Sequence, residues 1–344
     1  MLSSKKITKV MSRSKLMIIF LLMSMLFLGI GGNGLAEEYV IKYAYVFAPV
    51  GAQQDSAVYL KERIEELSGG RLSVQLYPSG QLGDKVAVEE SLRSGTIEMC
   101  DAAATDLSSW SKMWSIFSLP YNFVDDDHMF RVLRDKDVSK MFNEDAESIG
   151  FKVLAWTTVG SRSVLNSKRP IYRPKDLNGI KVRVMADPFL AKVVKLMGAI
   201  PVPLAWTDVY VALQQGTIDG AENSPSILFS NNLHEVTKYF SLTEHFRMPG
   251  PQLMSLKFFN SLPEDLQKVL MQAGKETEEF SRKNWILYDE ESLKKMEDSG
   301  IKINKLSEAD KEAFKEAVKP IYDDFLSDAD QKTKELYNLM NKVK

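Results

Sequence analysis

The chain has 344 residues, 44 basic against 46 acidic, and a formal charge of -2. That balance argues against nucleic acid and against an anionic membrane surface as partners, so any anion site must be made locally by placed cations. Cys100 is the only cysteine, which excludes an intrachain disulfide and fits a buried small apolar residue.

The first residues read as an export signal. Lys5, Lys6, Lys9, Arg13 and Lys15 form a basic region, residues 16–30 are a nearly continuous apolar run, and Gly34-Leu35-Ala36 offers small residues for cleavage. The alternative is an uncleaved anchor, for which a run of 15 residues is short. Cleavage near Ala36 removes five basic and no acidic residues, taking the charge from -2 to -7. No cysteine near that point offers a lipid attachment, and the mature chain is expected to be soluble and periplasmic.

Strand and helix then alternate. Residues 40–46 read as a strand, and 55–67 as a helix with Ala57, Leu60, Ile64 and Leu67 at helical spacing. Leu72, Val74 and Leu76 form the next strand, 85–94 a helix closed by Gly95, and 97–103 a further strand. This repeated β-α-β pattern predicts an α/β fold with a largely parallel sheet. Asp125-Asp126-Asp127 fits the first turn of a helix better than a metal site.

The stretch 179–223 is the most informative. Ile180, Val182 and Val184 alternate with Lys181, Arg183 and Met185, a half-buried strand that holds Arg183 off the apolar side. Asp187-Pro188 has the form of an N-cap and first helical residue. Arg183 therefore lies at the carboxyl end of a strand feeding a helix, where open α/β sheets bind ligands. Asn223 occupies a similar place after a short strand at 217–221, with Pro225 opening the next helix; it can cap that helix, contact a ligand, or do both. Trp206 precedes a helix read as capped by Thr207 and is suited to core packing or to stacking on a ligand. Arg162, on a short strand after Gly160, could be solvated or a ligand contact. Residues 92–98 and 213–219 echo each other as helix end, glycine and strand.

From Pro263 to Ser299 there is no further proline and only Gly274. As one helix, this stretch of about 35 residues would run roughly 50 Å. Ser307 to Asp310 resembles a capping box.

Downstream of residue 36 there is no GxSxG elbow, GxxxxGK[ST] loop or GxGxxG turn. His234-Glu235 begins like HExxH but ends in Lys238, so it lacks the second ligand. No catalytic residue, metal or cofactor is expected.

Residues 172–223, with 70–84 (GRLSVQLYPSGQLGD), 162–170 (RSVLNSKRP) and the long helix, resemble the solute receptors (DctP type) of tripartite ATP-independent periplasmic (TRAP) transporters. The resemblance implies a two-lobed periplasmic-binding-protein fold, with an interlobe cleft and a long C-terminal helix spanning both lobes. It implies lobes of 37–158 plus about 248–288, and 159–247 plus about 289–344. Arg183 resembles the arginine that pairs with the ligand carboxylate, Arg162 a second arginine, and Asn223 the amide that completes the clamp. Trp206 matches an aromatic position that packs on the ligand, and Glu222 and His245 resemble residues that hold the arginine. Val46-Phe47, Lys85 and Ala103 stand where the sialic-acid branch has asparagine, aspartate and glutamate, which points away from sialic acid; Phe47 and Lys85 remain first-lobe contacts. The implied function is capture of a small organic acid, favoured to be a sugar acid such as a uronate or aldonate, for an ion-driven permease with small and large subunits. A C4-dicarboxylate or another monocarboxylate is the alternative ligand. A receptor for an ATP-driven importer and an exported hydrolase are the alternatives of other classes.

Overall fold

A computed structural model describes residues 38–344; the expected export segment lies outside them. Its first strands follow the apolar alternation. β1 (Tyr39–Ala44) buries Ile41 and Tyr43, and β2 (Leu72–Tyr77), parallel to it, buries Leu72 and Val74. Between them α1 (Ala52–Leu67) supplies Ala57, Leu60 and Ile64 to the same core. α2 (Lys85–Ser94) starts where the Asp84 side chain accepts from the Ala87 amide and ends at Gly95, whose φ of 84° only glycine adopts at little cost. β3 (Met99–Asp101) is followed by two tight turns, Ala104–Ser109 and Lys112–Ser118, then α3 (Asp126–Arg134) and α4 (Lys136–Ser148). Asp125 caps α3 and Asp126 and Asp127 fill its first turn, as the dipole argument expects.

The middle of the chain adds β4 (Phe151–Asn166), β5 (Lys181–Val184), α5 (Pro188–Leu196), β6 (Ile200–Pro203), α6 (Val209–Gln214), β7 (Gly220–Asn223) and α7 (Pro225–Ser230). β8 (Tyr239–Ser255), α8 (Leu256–Ser261), α9 (Glu264–Asp298) and β9 (Lys302–Lys305) follow, and α10 (Glu308–Val318), α11 (Pro320–Asp328) and α12 (Gln331–Met340) close the chain. The nine described strands form one sheet in the order β2-β1-β3-β8-β4-β7-β5-β6, with β9 on β8.

The sheet corrects the expectation of largely parallel pairing. β1–β2, β1–β3, β5–β6, β5–β7 and β8–β9 are parallel, but β4 runs antiparallel to both β7 and β8, and β3 antiparallel to β8. The long β4–β8 pair joins two halves. Its Phe151–Thr158 and Pro249–Ser255 portions continue into β3, β1 and β2, and its distal portion into β7, β5 and β6. The register slips between Thr158 and Ser161, where Gly160 has φ 78°. A Cβ there would come within 2.6 Å of Ser224 Cβ and Trp285 Nε1, so the strand changes direction at a place that excludes any side chain.

α9 is the long helix expected from residues 263–299, with 35 residues. Near its start Gly274 rests on β4, where a Cβ would meet the Leu154 carbonyl oxygen at 2.1 Å. Further along, Trp285 and Asp289 press on Gly160, and Asp289 accepts from the Ser226 amide at 3.0 Å. One helix thus touches both sheet halves. Among the described residues no helix is long and apolar enough to cross a membrane.

Candidate ligand site

The site lies where the strand ends of the second half meet the loops of the first. Asp187 caps α5 by accepting from the Phe189 and Leu190 amides, which fixes the turn after β5. Its other carboxylate oxygen accepts from Ser108 (3.2 Å) and Ser118 (2.8 Å), so a second-half acid is tied to two first-half hydroxyls. Trp206 follows β6 in a short turn, Trp206–Asp208; Thr207 does not cap the helix, and Asp208 stands at the N-cap. Asn223 does not cap α7 either: Ser224 holds that position, and the Asn223 side-chain oxygen accepts from its amide at 2.9 Å.

A cavity of about 350 Å³ is lined by both halves. Arg183, Arg162, Asn223, Trp206, Phe47 and Lys85, all singled out from the sequence, share its wall. The two arginines differ in what they already hold. Arg162 is 1% exposed, on the sixteen-residue β4 rather than a short strand. It donates from Nε to Glu222 Oε2 (2.7 Å) and from Nη2 to Glu222 Oε1 (2.6 Å), a bidentate pair. The register that sets Val164 opposite Glu222 makes this possible. Burial works against the Glu222 charge, but Arg162 outweighs it and holds the carboxyl at about 2. His245 lies behind, its Nε2 3.5 Å from Glu222 and its Nδ1 2.8 Å from the Thr243 hydroxyl.

Arg183 is 4% exposed and has no carboxylate partner among the described residues. Its Nε donates to the Leu204 carbonyl at 2.8 Å and its guanidinium lies 5.4 Å from the Trp206 ring centre. Burial, and then the charge of Arg162, push its pKa down to about 10, so it stays cationic at neutral pH. Among the described residues the Leu204 carbonyl is the hydrogen-bond partner found for this guanidinium.

Two aromatic rings connect this wall to the first-half wall. Trp206 meets Phe47 edge to face at 5.4 Å, and Lys85 Nζ lies 5.4 Å from the Phe47 ring centre. Trp206 is steadied by Asn231, whose side-chain oxygen accepts from the indole at 3.3 Å. Lys85 itself donates to Asp106 at 3.1 Å, and Asp106 also accepts from the Ala103 amide. Glu89, Thr105 and Asp106 in this wall carry no motif and escaped the sequence reading; their one signal is proximity to Lys85 and Ala103.

The family profile described as "Bacterial extracellular solute-binding protein, family 7" (DctP) matches residues 43–328. The chain belongs to that family. Its relatives include the uncharacterized protein YiiZ of Salmonella typhimurium, 33% identical over 83% of this chain and 86% of that one. The 2,3-diketo-L-gulonate-binding periplasmic protein YiaO of Escherichia coli is 28% identical over 85% and 88%. Among solved structures, the sugar acid binding protein DctPAm of Advenella mimigardefordensis in complex with galactonate superposes with a TM-score of 0.85 at 26% identity, covering 90% of this chain and 99% of that one. A TRAP periplasmic solute-binding protein of Sulfurospirillum deleyianum with bound succinate gives 0.83 at 30% identity, over 89% and 99%. The fold is that of the DctP receptors, and the family's members are binding proteins that serve transport.

Proposed function

We propose that this DctP receptor captures a small organic acid in the cavity and passes it to the small and large subunits of a TRAP permease, in the periplasm after cleavage near Ala36. The ligand carboxylate lies on the Arg183 fork, with the Asn223 amide completing the clamp. Arg162, braced by Glu222 and His245, lends its field and a remaining Nη1, while Trp206 and Phe47 cover the carbon skeleton. The lobes divide near the Gly160 slip, at 158/159 and 247/248, and α9 bends or rocks as they close.

One observation carries this reading: a buried guanidinium with no carboxylate partner. Leaving such a group without an anion is costly, and a bound carboxylate satisfies it with two parallel hydrogen bonds. We favour a sugar acid, a uronate or aldonate, over a C4-dicarboxylate. Of the three cations lining the cavity, Arg162 is neutralised by Glu222 and Lys85 by Asp106, which leaves Arg183 to match one ligand charge. The galactonate and diketogulonate named for two relatives agree with this choice, and the succinate of the third represents the alternative. The ligand is returned unchanged, as for a receptor and not a hydrolase. A thermal-shift screen of aldonates, uronates and C4-dicarboxylates tests the reading. A raised melting temperature with a sugar acid and none with succinate supports it; a response to succinate alone overturns it.

A further inference from the structure

The first-half wall of the cavity combines three features. Lys85 is held by Asp106 and shielded by the Phe47 ring. Glu89, 2% exposed, has one carboxyl oxygen with no hydrogen-bond partner, and the Thr105 hydroxyl, 1% exposed, has none either. Both residues line the cavity. The geometry points to a selectivity gate: the Lys85–Asp106 pair and Glu89 accept the hydroxyls of a ligand anchored at Arg183 and turn away a second carboxylate. This rests on the sugar-acid reading and adds which residues choose among acids of equal length.

The argument is one of charge and of hydrogen-bonding capacity. A second carboxylate on this wall would need an uncompensated cation, but Lys85 is already matched by Asp106, with Asp101 and Glu89 close by. Burial disfavours the Lys85 charge, yet Asp106, Asp101 and Glu89 together hold its pKa above the usual value, so the lysine remains paired. Burial, and then Asp106, push the Glu89 carboxyl well above the usual carboxylate range, a sign that this wall opposes added negative charge. Hydroxyls can both donate and accept, which is what an ammonium–carboxylate pair and the unpartnered Glu89 oxygen require. A dianion meets acidic groups with no free cation, so rejection is built into the wall as much as recognition.

The test compares D-galactonate with galactarate, which has the same carbon chain but a carboxylate at each end. Isothermal titration of the mature protein is expected to favour galactonate by about tenfold or more, a difference of about 1.4 kcal/mol. Asp106→Asn frees the lysine while keeping an acceptor for the Ala103 amide, and should shift the ratio about tenfold toward galactarate. Lys85→Met leaves Asp106 unmatched and should move the ratio the other way. A residue that only supported the fold would lower both affinities together. If Asp106→Asn does not fold, the Lys85→Met shift decides alone. Equal wild-type affinity for the two acids, an unmoved ratio, or parallel loss of both acids overturns the gate. If the wild type binds galactonate and the ratio stays fixed, only the gate fails. If it binds no aldonate or uronate, the sugar-acid reading fails, and the gate with it.

Discussion

Arg162 and Arg183 line the same cavity, are almost equally buried and come from neighbouring regions of one sheet, yet their charges are handled in opposite ways. Arg162 has a carboxylate gripped at two points, 60 residues away in sequence. Arg183 has one backbone carbonyl and an indole face. The first is a structural ion pair that sets a field; the second has no carboxylate among the described residues and is the one we propose for the ligand. The difference teaches that burial of an arginine does not tell its role, and that its missing partner does.

The contrast predicts stability effects of opposite sign. Glu222→Gln should cost the largest amount, about 3–5 kcal/mol in chemical denaturation, because it leaves Arg162 charged and unpaired inside the protein. Arg183→Met should leave stability unchanged or raise it, because it removes a buried charge that has no carboxylate partner among the described residues; a loss as large as that of Glu222→Gln would erase the distinction. Ligand binding reverses the emphasis. Arg183→Ala should weaken acid binding by at least about a hundredfold in calorimetry, within the 2–5 kcal/mol typical of one lost side of a buried charged pair. Trp206→Ala should weaken it by about tenfold through loss of ring contacts. An unaltered affinity in either variant would count against the clamp.

Acid titration sharpens the comparison further. The Glu222 carboxyl sits near 2 in the folded protein, below its unfolded value of roughly 4.3, so its contribution is present above that value and is lost as pH falls toward 2. Asp289 behaves inversely: burial raises it to about 8, so the folded state keeps a proton that the unfolded state releases. It therefore subtracts stability as pH rises from roughly 4 to 8. Asp289→Asn should flatten that part of the profile. A slope identical to the wild type would mean that the aspartate ionises freely beneath the Gly160 slip.

Local signals carried much of this architecture. α2 with its Gly95 stop, the Asp187 cap of α5, the acidic start of α3 and all of α9 were legible because caps, glycines and periodicity act within a few residues. β8 was not, because Pro249, Gly250 and Pro251 interrupt it and read as a break; they pair with Thr158, Thr157 and Trp156 near the slip in β4. The same long pairing hid the role of Arg162. Its partner is set by strand register and not by spacing, so an arginine on a short strand could not be told from a ligand contact. The echo between 92–98 and 213–219 gained a meaning. Gly95 and Gly216 both have positive φ, and the strands after them, β3 and β7, flank β8 and β4 on either side. The residues around Lys85 stayed silent because Glu89 and Asp106 are ordinary charges until folding brings them together.

The indole of Trp206 stacks on the Arg183 guanidinium and abuts Phe47 from the other half of the chain. If a carboxylate docks at that guanidinium as proposed, it would change the electric field across the ring, and a parting of the halves would strip Phe47 from its edge. On the proposed reading Trp206 would be a built-in optical reporter, and the difference in stopped-flow emission between the wild type and Trp206→Phe would separate its signal from that of the other four tryptophans.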